Sequence, residues 1–306
     1  METIRYIKQA DLNKEKWDRL ITGSPMGMLY AMSGYLDAMC SHWDALVCGD
    51  YKTGMPLPYR KKMGISYLYQ PAFTQQLGII SKQPLTGKES MAFIKEAAKY
   101  FSFAEITLNH QNLFTGTEYP LQMRQNLVLP IQDDYGKVQS NYSFTLKKNL
   151  KWIKKFNSEY VWEKDIKKIV ALYRELYQKK IPSFKDNDYV HFLKACKNIQ
   201  PYSKVYARAV LNPAKELLAA SILILFKDRL YNIISCNTAR GRAVHANDVL
   251  YDQIIREFSG RGLLLDFEGS DAAGIARFYR KFGGRDQPYP FLKYNHLPSI
   301  LKLIKP

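Results

Sequence analysis

The stretch Leu217–Phe282, LLAASILILFKDRLYNIISCNTARGRAVHANDVLYDQIIREFSGRGLLLDFEGSDAAGIARFYRKF, decides the fold of this chain. Its first ten residues hold a single polar side chain, the pattern of a strand buried on both faces. Lys227-Asp228 turns the chain back into a second strand, Leu230–Cys236, so the pair forms a hairpin. Asn237–Ala246 is polar and basic and is expected as a loop. It feeds a helix over Asn247–Phe258, which Gly260 and Gly262 end. A strand over Leu263–Phe267 and a helix over Ala272–Phe282, stopped by Gly283-Gly284, complete the stretch. Hairpin, helix, strand and helix in that order suit a mixed sheet with helices on its faces.

Working upstream, Lys204–Val210 adds a third meander strand, and helices are expected near Lys164–Lys179 and Asn187–Lys197. Before them lies NYSFTLKKNLKWIKKF (Asn141–Phe156), where Leu146, Leu150, Ile153 and Phe156 recur at helical spacing. Lys147, Lys148, Lys151, Lys154 and Lys155 fill the positions between, making an amphipathic basic helix that either tracks a polynucleotide backbone or forms a solvated face. The N-terminal half reads similarly: strand Thr3–Ile7, helices near Glu15–Ile21 and Ser33–Met39, strand Ala45–Cys48, and two strand pieces in Met55–Tyr69. A helix over Lys88–Phe101 and strands Glu105–Leu108 and Asn126–Pro130 follow. A last strand, Phe291–Tyr294, and a short helix, Pro298–Ile304, close the chain. The fold class is therefore α/β (α+β), with two similar halves in tandem and domains expected at 1–135 and 136–306.

Composition narrows the function. The 306 residues carry a formal charge of +17, of which +4 falls in residues 1–150 and +13 in 151–306. Anionic partners or substrates suit that field. The longest apolar run, Leu217–Phe226, is half of the roughly 20 residues a membrane span needs. The charged N-terminus lacks the apolar core of a secretory signal, so a cytoplasmic location is expected. Cys40, Cys48, Cys196 and Cys236 form no CxxC pair, and the five histidines show no ligand spacing; no metal is expected.

Four places can carry chemistry. At the start of the Asn247 helix, first-turn N–H groups lack internal partners, and Arg240, Arg242 and His245 stand just upstream. Arg240, Arg242, His245 and Asn247 are accordingly candidates to hold the phosphates of an anionic donor; the alternative is a solvated loop in which Asn247 or Asp248 caps the helix. Asp266 and Glu268 alternate at a strand end, so they are expected on one face, where Glu268 could act as a general base toward an amine. They could equally cap the next helix or pair with Arg277 or Arg280. Tyr279 could protonate a departing thiolate or alkoxide, or could be an ordinary buried, hydrogen-bonded tyrosine. Finally, YLYQPAFTQQ (Tyr67–Gln76) offers Tyr69, Gln70, Gln75 and Gln76 as a binding loop for a polar, neutral substrate, unless packing alone explains them.

The ordered features of Leu217–Phe282, with the basic helix SFTLKKNLKWIKK (Ser143–Lys155) before them, resemble the FemAB-like branch of the GNAT acyltransferase superfamily. That branch comprises peptidoglycan-bridge aminoacyltransferases and related acetyltransferase-like proteins. Residues 1–130, with MPLPYRKKMGISYLYQPAFTQQLG, resemble the N-terminal GNAT-like domain of a subgroup of the same branch. The resemblance implies two GNAT-like domains, each a mixed, mostly antiparallel sheet flanked by helices, with the acyl donor held by the second. It implies transfer of an acetyl or aminoacyl group from acyl-CoA or aminoacyl-tRNA, as co-substrate and not as a tightly bound cofactor, to a small amine or peptide. Family aminoacyltransferases commonly carry a lysine where this chain has Tyr279. Two other functions fit the residues: a non-catalytic RNA- or tRNA-binding protein using the lysine helix, and a degenerate GNAT scaffold that binds a metabolite.

Overall fold

The computed structural model describes residues 2–116 and 118–298. The expected helix Pro298–Ile304 lies, apart from its first residue, outside them. In chain order the structure runs β1 (Ile4–Ile7), α1 (Lys14–Gly23), α2 (Ser33–Met39), β2 (Trp43–Cys48), β3 (Thr53–Lys62), β4 (Ile65–Tyr69), β5 (Ile80–Ser81), α3 (Gly87–Tyr100), β6 (Phe103–Thr107) and β7 (Leu121–Arg124). It continues with β8 (Leu127–Pro130), α4 (Tyr135–Ser140), α5 (Phe144–Ile153), β9 (Glu159–Trp162), α6 (Ile166–Tyr177), α7 (Asp186–Asn198), β10 (Ser203–Leu211), β11 (Leu217–Phe226) and β12 (Arg229–Asn237). Then come α8 (Ala239–Ala243), α9 (Ala246–Phe258), β13 (Leu264–Asp266), α10 (Ala273–Arg280), β14 (Arg285–Asp286) and β15 (Tyr289–Asn295).

Two mixed sheets result, each flanked by helices, as the sequence predicts. The first is ordered β1-β2-β3-β4-β6-β15-β7, with β5 added on β3. All its pairings are antiparallel except β4 with β6. The second is ordered β14-β8-β13-β12-β11-β10-β9, and β12 with β13 is its parallel pair. The chain accordingly forms two compact units: residues 1–124, 197–199 and 288–306, and residues 125–196 and 200–287. The boundary falls at 124/125 where 135/136 was expected, because Leu127–Pro130 pairs with β13 and β14 in the second sheet. The second unit also ends early, because β15 returns to the first sheet between β6 and β7.

Local chemistry explains the elements of the second unit. β11 is buried almost throughout, as a central strand covered on both faces must be. Ser143 caps α5 by accepting from the Leu146 N–H, and Asp165 caps α6 through the Lys167 N–H. The amphipathic α9 lays Leu250, Tyr251, Ile254, Ile255 and Phe258 into a core completed by Leu223, Leu230 and Leu265. Four segments that carried no clear periodicity are ordered: β7, β9, α4 and the short α8.

Candidate functional site

The second sheet opens like a fork. β12 and β13 pair at Arg229↔Leu264, Leu230↔Leu265 and Tyr231↔Asp266; β13 then stops, while β12 runs on to Asn237. The last rung is locked by charge. The buried Asp266 carboxylate accepts from the Arg229 guanidinium at 2.7 and 2.8 Å, from Asn126 Nδ2 at 2.9 Å and from the Glu268 N–H at 3.1 Å. Burial opposes the charge on Arg229, but Asp266 and Tyr231 beside it outweigh that cost and hold the guanidinium above its usual value.

Just past the lock β12 bulges: Leu223 pairs with Asn232 and Ile222 with Ile234, leaving Ile233 as the extra residue. A bulge re-aims neighbouring side chains, and Asn232 becomes the hub of a buried polar network. Its Oδ1 accepts from Ser221 Oγ at 2.5 Å. Its Nδ2 donates toward the Tyr251 hydroxyl (2.8 Å), the Phe267 carbonyl (3.1 Å) and the Tyr279 hydroxyl (3.3 Å). The two phenols lie 3.1 Å apart, and Ser235, half-exposed on β12, also bonds Tyr251. The Tyr279 ring stacks on Phe267, with centroids 4.3 Å apart, which fixes where its hydroxyl points. Burial, and then the neighbouring Tyr251, push the Tyr279 phenol well above its ordinary value; burial pushes Tyr251 up to about 12. Both stay protonated at neutral pH.

Sequence reasoning picked Tyr279 but missed Asn232 and Tyr251. A signal existed: asparagine is disfavoured in strands, and one inside LYNIIS must be bonded if buried.

The corner after β12 differs from the expected open loop. Thr238 caps a five-residue helix, α8, by accepting from the Gly241 N–H. Val244 N–H donates to Arg240 O, His245 N–H to Arg242 O, and Asp248 N–H to His245 O. At the start of the helix the His245 and Asp248 N–H groups are therefore satisfied within the chain. The helix itself starts at Ala246 with His245 in the left-handed region, φ 56°. A Cβ on Gly241 would sit 2.1 Å from the Leu218 carbonyl oxygen, so α8 packs against β11 backbone to backbone.

Arg240 and Arg242 are exposed. The first pairs with Glu216, and the second donates to the Asn237 carbonyl at 2.7 Å. His245 meets the Trp152 ring edge-on, 5.6 Å between centroids, and lies 3.8 Å from the Asp248 carboxylate. Asn237 Oδ1 and Asn247 Oδ1 are buried with no hydrogen-bond partner among the described residues, so two acceptors flank this corner.

Glu268 does not share a face with Asp266. The strand ends at Asp266, Glu268 takes φ 57°, and alternation stops there. Asp266 pairs with Arg229, and Arg280 with Asp286. The glutamine-rich segment is packed within the first unit. Gln70 Nε2 donates to Thr74 O, and its Oε1 accepts from the Thr107 N–H. Gln76 Nε2 donates to Gln75 Oε1, and its Oε1 accepts from the His110 N–H. Tyr69 is buried beneath the Arg60 guanidinium, 4.1 Å from its ring centroid. These side chains staple residues 70–76 to the sequence around β6. Among the described residues no group of three or more His, Cys, Asp or Glu side chains is placed to hold a metal ion.

No protein-family model matches the sequence, and comparison with curated proteins finds no relative. Solved structures do share the fold. The crystal structure of FemX superposes with a TM-score of 0.68 over 99% of this chain and 100% of its own, at 11% identity. The C-terminal domain of a putative lysylphosphatidylglycerol synthetase from Agrobacterium fabrum gives 0.55 at 10% identity, covering 95% of this chain and 93% of that one. The structure of L-PGS from Bacillus licheniformis gives 0.53 at 10% identity, covering 95% and 94%. Two mixed sheets with flanking helices, a forked parallel pair in the second and superposition on FemX across the chain give this protein the fold of the FemX structure, the tandem GNAT-like architecture that the resemblance implies.

Proposed function

We propose that this protein is an N-acyltransferase that moves an acyl or aminoacyl group from a thioester or aminoacyl-ester donor to an amine, using the fork of the second unit. The observation that carries the reading is the parting of β12 and β13 immediately above a pair of protonated phenols. A strand edge released from its neighbour offers unpaired backbone groups to an extended ligand. Proteins with the same fold include FemX and a putative lysylphosphatidylglycerol synthetase, which supports transfer chemistry over simple binding.

In this reading the reacting carbonyl lies along β12 beyond Ile233, with Ser235 beside it. The amine attacks the carbonyl carbon, its excess proton passes to Glu268, and the carbon–sulfur or carbon–oxygen bond breaks. Tyr279, oriented by Asn232 and Tyr251, donates a hydrogen bond to the oxygen or sulfur that gathers negative charge. The donor's phosphates are held by Arg240 and Arg242. An exposed ion pair such as Arg240–Glu216 is worth at most about 1 kcal/mol, so a phosphate readily displaces the carboxylate. Asn237 Oδ1 and Asn247 Oδ1 then accept from N–H groups of the donor's arm. Acyl-CoA and aminoacyl-tRNA both carry phosphate, activated carbonyl and amide or amine groups, and either implies a cytoplasmic location. The remaining candidates, Tyr69, Gln70, Gln75 and Gln76, enter this reading only as the frame of the first unit.

Calorimetry with acetyl-CoA, a long-chain acyl-CoA and aminoacyl-tRNA tests the reading. One of them binds at micromolar concentration, and Arg240→Ala with Arg242→Ala weakens it by about 100-fold, roughly tenfold per charge-assisted bond lost. No binding of any of the three refutes it.

A further inference from the structure

α5 buries Leu146 and Ile153 and turns the opposite face to solvent. That face carries Phe144, Lys148, Lys151 and Lys155 in one stripe, with Lys147 on one flank and Trp152 on the other. From Tyr135 to Ser158 the sequence contains six lysines and no Asp or Glu. Lys137 pairs with Asp133; among the described residues the ion pairs include no carboxylate on Lys147, Lys148, Lys151, Lys154 or Lys155. Three of the aromatic residues on the same segment are exposed, Phe144 by 83%, Trp152 by 39% and Phe156 by 37%, while Tyr142 is buried in the core. Large apolar side chains are normally withdrawn from a lysine-rich solvated surface; here they stand among the charges.

We propose that the outer face of α5 and the turn Lys154–Phe156 is a docking surface for an anionic lipid bilayer. Charge complementarity names the occupant. Lysines are compact point charges suited to a diffuse layer of anionic headgroups, and the stripe contains no arginine, whose planar fork recognises phosphate bidentately. The apolar component separates a bilayer from a nucleic acid. A stacking platform for bases needs an open ring face, whereas Trp152 is contacted edge-on by Phe156 at 4.6 Å and by His245 at 5.6 Å. Phe144, alone at the first turn, is placed to dip into the acyl boundary as interfacial helices do. Beside the stripe lies a groove of about 720 Å³ lined by Lys147, Lys151, Lys154 and Arg256, by Leu150 and Val249, and by Asp252. Its four cations outnumber the one carboxylate, and with the apolar lining they match a phosphate headgroup and the glycerol behind it. The surface is separate in residues from the fork, so the inference stands apart from the proposed reaction.

Co-sedimentation of the full chain with vesicles of pure phosphatidylcholine, and of phosphatidylcholine with one-third phosphatidylglycerol, tests it. Binding to the anionic vesicles and not to the neutral ones is the expected result. Replacing Lys148, Lys151 and Lys155 by Gln reduces partitioning by about 100-fold, roughly fivefold per lysine. Phe144→Ser reduces it about fivefold and leaves binding of a transfer RNA mixture unchanged. Because all four side chains are exposed, thermal melting of the variants stays within about 2 °C of the parent. The proposal is overturned if the anionic vesicles retain no protein. It is equally overturned if Phe144→Ser has no effect while the lysine variant loses vesicles and RNA alike, since the face would then be a generic polyanion binder.

Discussion

Removing one oxygen from Tyr279 separates a structural network from a reacting one. In Tyr279→Phe the ring still stacks on Phe267 and still meets Tyr251 edge-on. Asn232 Nδ2 keeps Tyr251 and the Phe267 carbonyl as acceptors, and Tyr251 keeps Asn232 and Ser235, so no buried group is orphaned. The loss is then that of one satisfied hydrogen bond, about 1 kcal/mol, and a fall in Tm of about 2–4 °C. The rate effect depends on the leaving group. Tyr279 is held above 10, so full proton transfer to a thiolate, whose acid lies near 8.5, is uphill by at least about thirtyfold. An alkoxide is a far stronger base than a thiolate and gains correspondingly more from that proton. Tyr279→Phe therefore slows turnover of an aminoacyl ester by about 100-fold and of a thioester by less than about tenfold. Single-turnover rates with both donors, read beside a thermal melt, measure all three numbers. Unchanged turnover of whichever donor binds, at the same small loss of stability, would falsify the catalytic role and leave the network as packing.

Asp266→Asn strips the fork of its lock and leaves the buried Arg229 guanidinium facing a neutral amide; urea unfolding should show a loss of about 3–5 kcal/mol. Gly241→Ala forces a Cβ to within 2.1 Å of the Leu218 carbonyl, which only backbone displacement relieves; we expect a lower denaturation midpoint and weaker donor binding together, and normal values for both would show the corner to be soft. Burial opposes ionisation of Glu257, but hydrogen bonds from Arg208 and Tyr160 prevail and hold its carboxyl below the ordinary 4.5. A depressed carboxylate stabilises the fold above its unfolded value and ceases to do so as pH falls through its folded one. Glu257→Gln should therefore flatten the acid limb of the stability curve below about pH 4.5, which denaturation at stepped pH reads directly.

What the sequence discloses here is what depends on near neighbours. The run LLAASILILF, the turn at Lys227-Asp228 and the periodicity of Asn141–Phe156 report local backbone preference and burial, and β11, β12 and α5 appear where those signals lie. Arg240, Arg242 and His245 likewise fall together at one corner because they are close in the chain. The misplacements need distant partners. Asn237–Ala246 reads as a loop until Leu218 supplies the acceptor that holds Thr238 in place and α8 is capped. Gln70 and Gln76 resemble ligand-facing amides until Thr107 and His110, more than thirty residues away, occupy their oxygens. Leu127–Pro130 carries no mark of the sheet it joins, since its partners are β13 and β14.

The same distinction explains why the fork needs a buried charge. A parallel pairing of three rungs is short for a sheet whose neighbours run nine or ten residues, and parallel rungs are weaker per residue than antiparallel ones. Lengthening β13 would strengthen the pairing but would close the opening above Tyr231, so stability has to come from the side chains of the rungs already present. Arg229 begins the pairing on β12 and Asp266 ends it on β13, and the bond between them spans the three-rung ladder diagonally. Asn126 adds a hold from just before β8, and Gln287 accepts from Arg229 at the point where the chain leaves the second unit. The lock thus gathers residues from four separated segments at the base of the opening. It lets the strands part within one residue of a rigid rung, and that abruptness sets the bulge and the Asn232 network in one fixed geometry at the base of the opening.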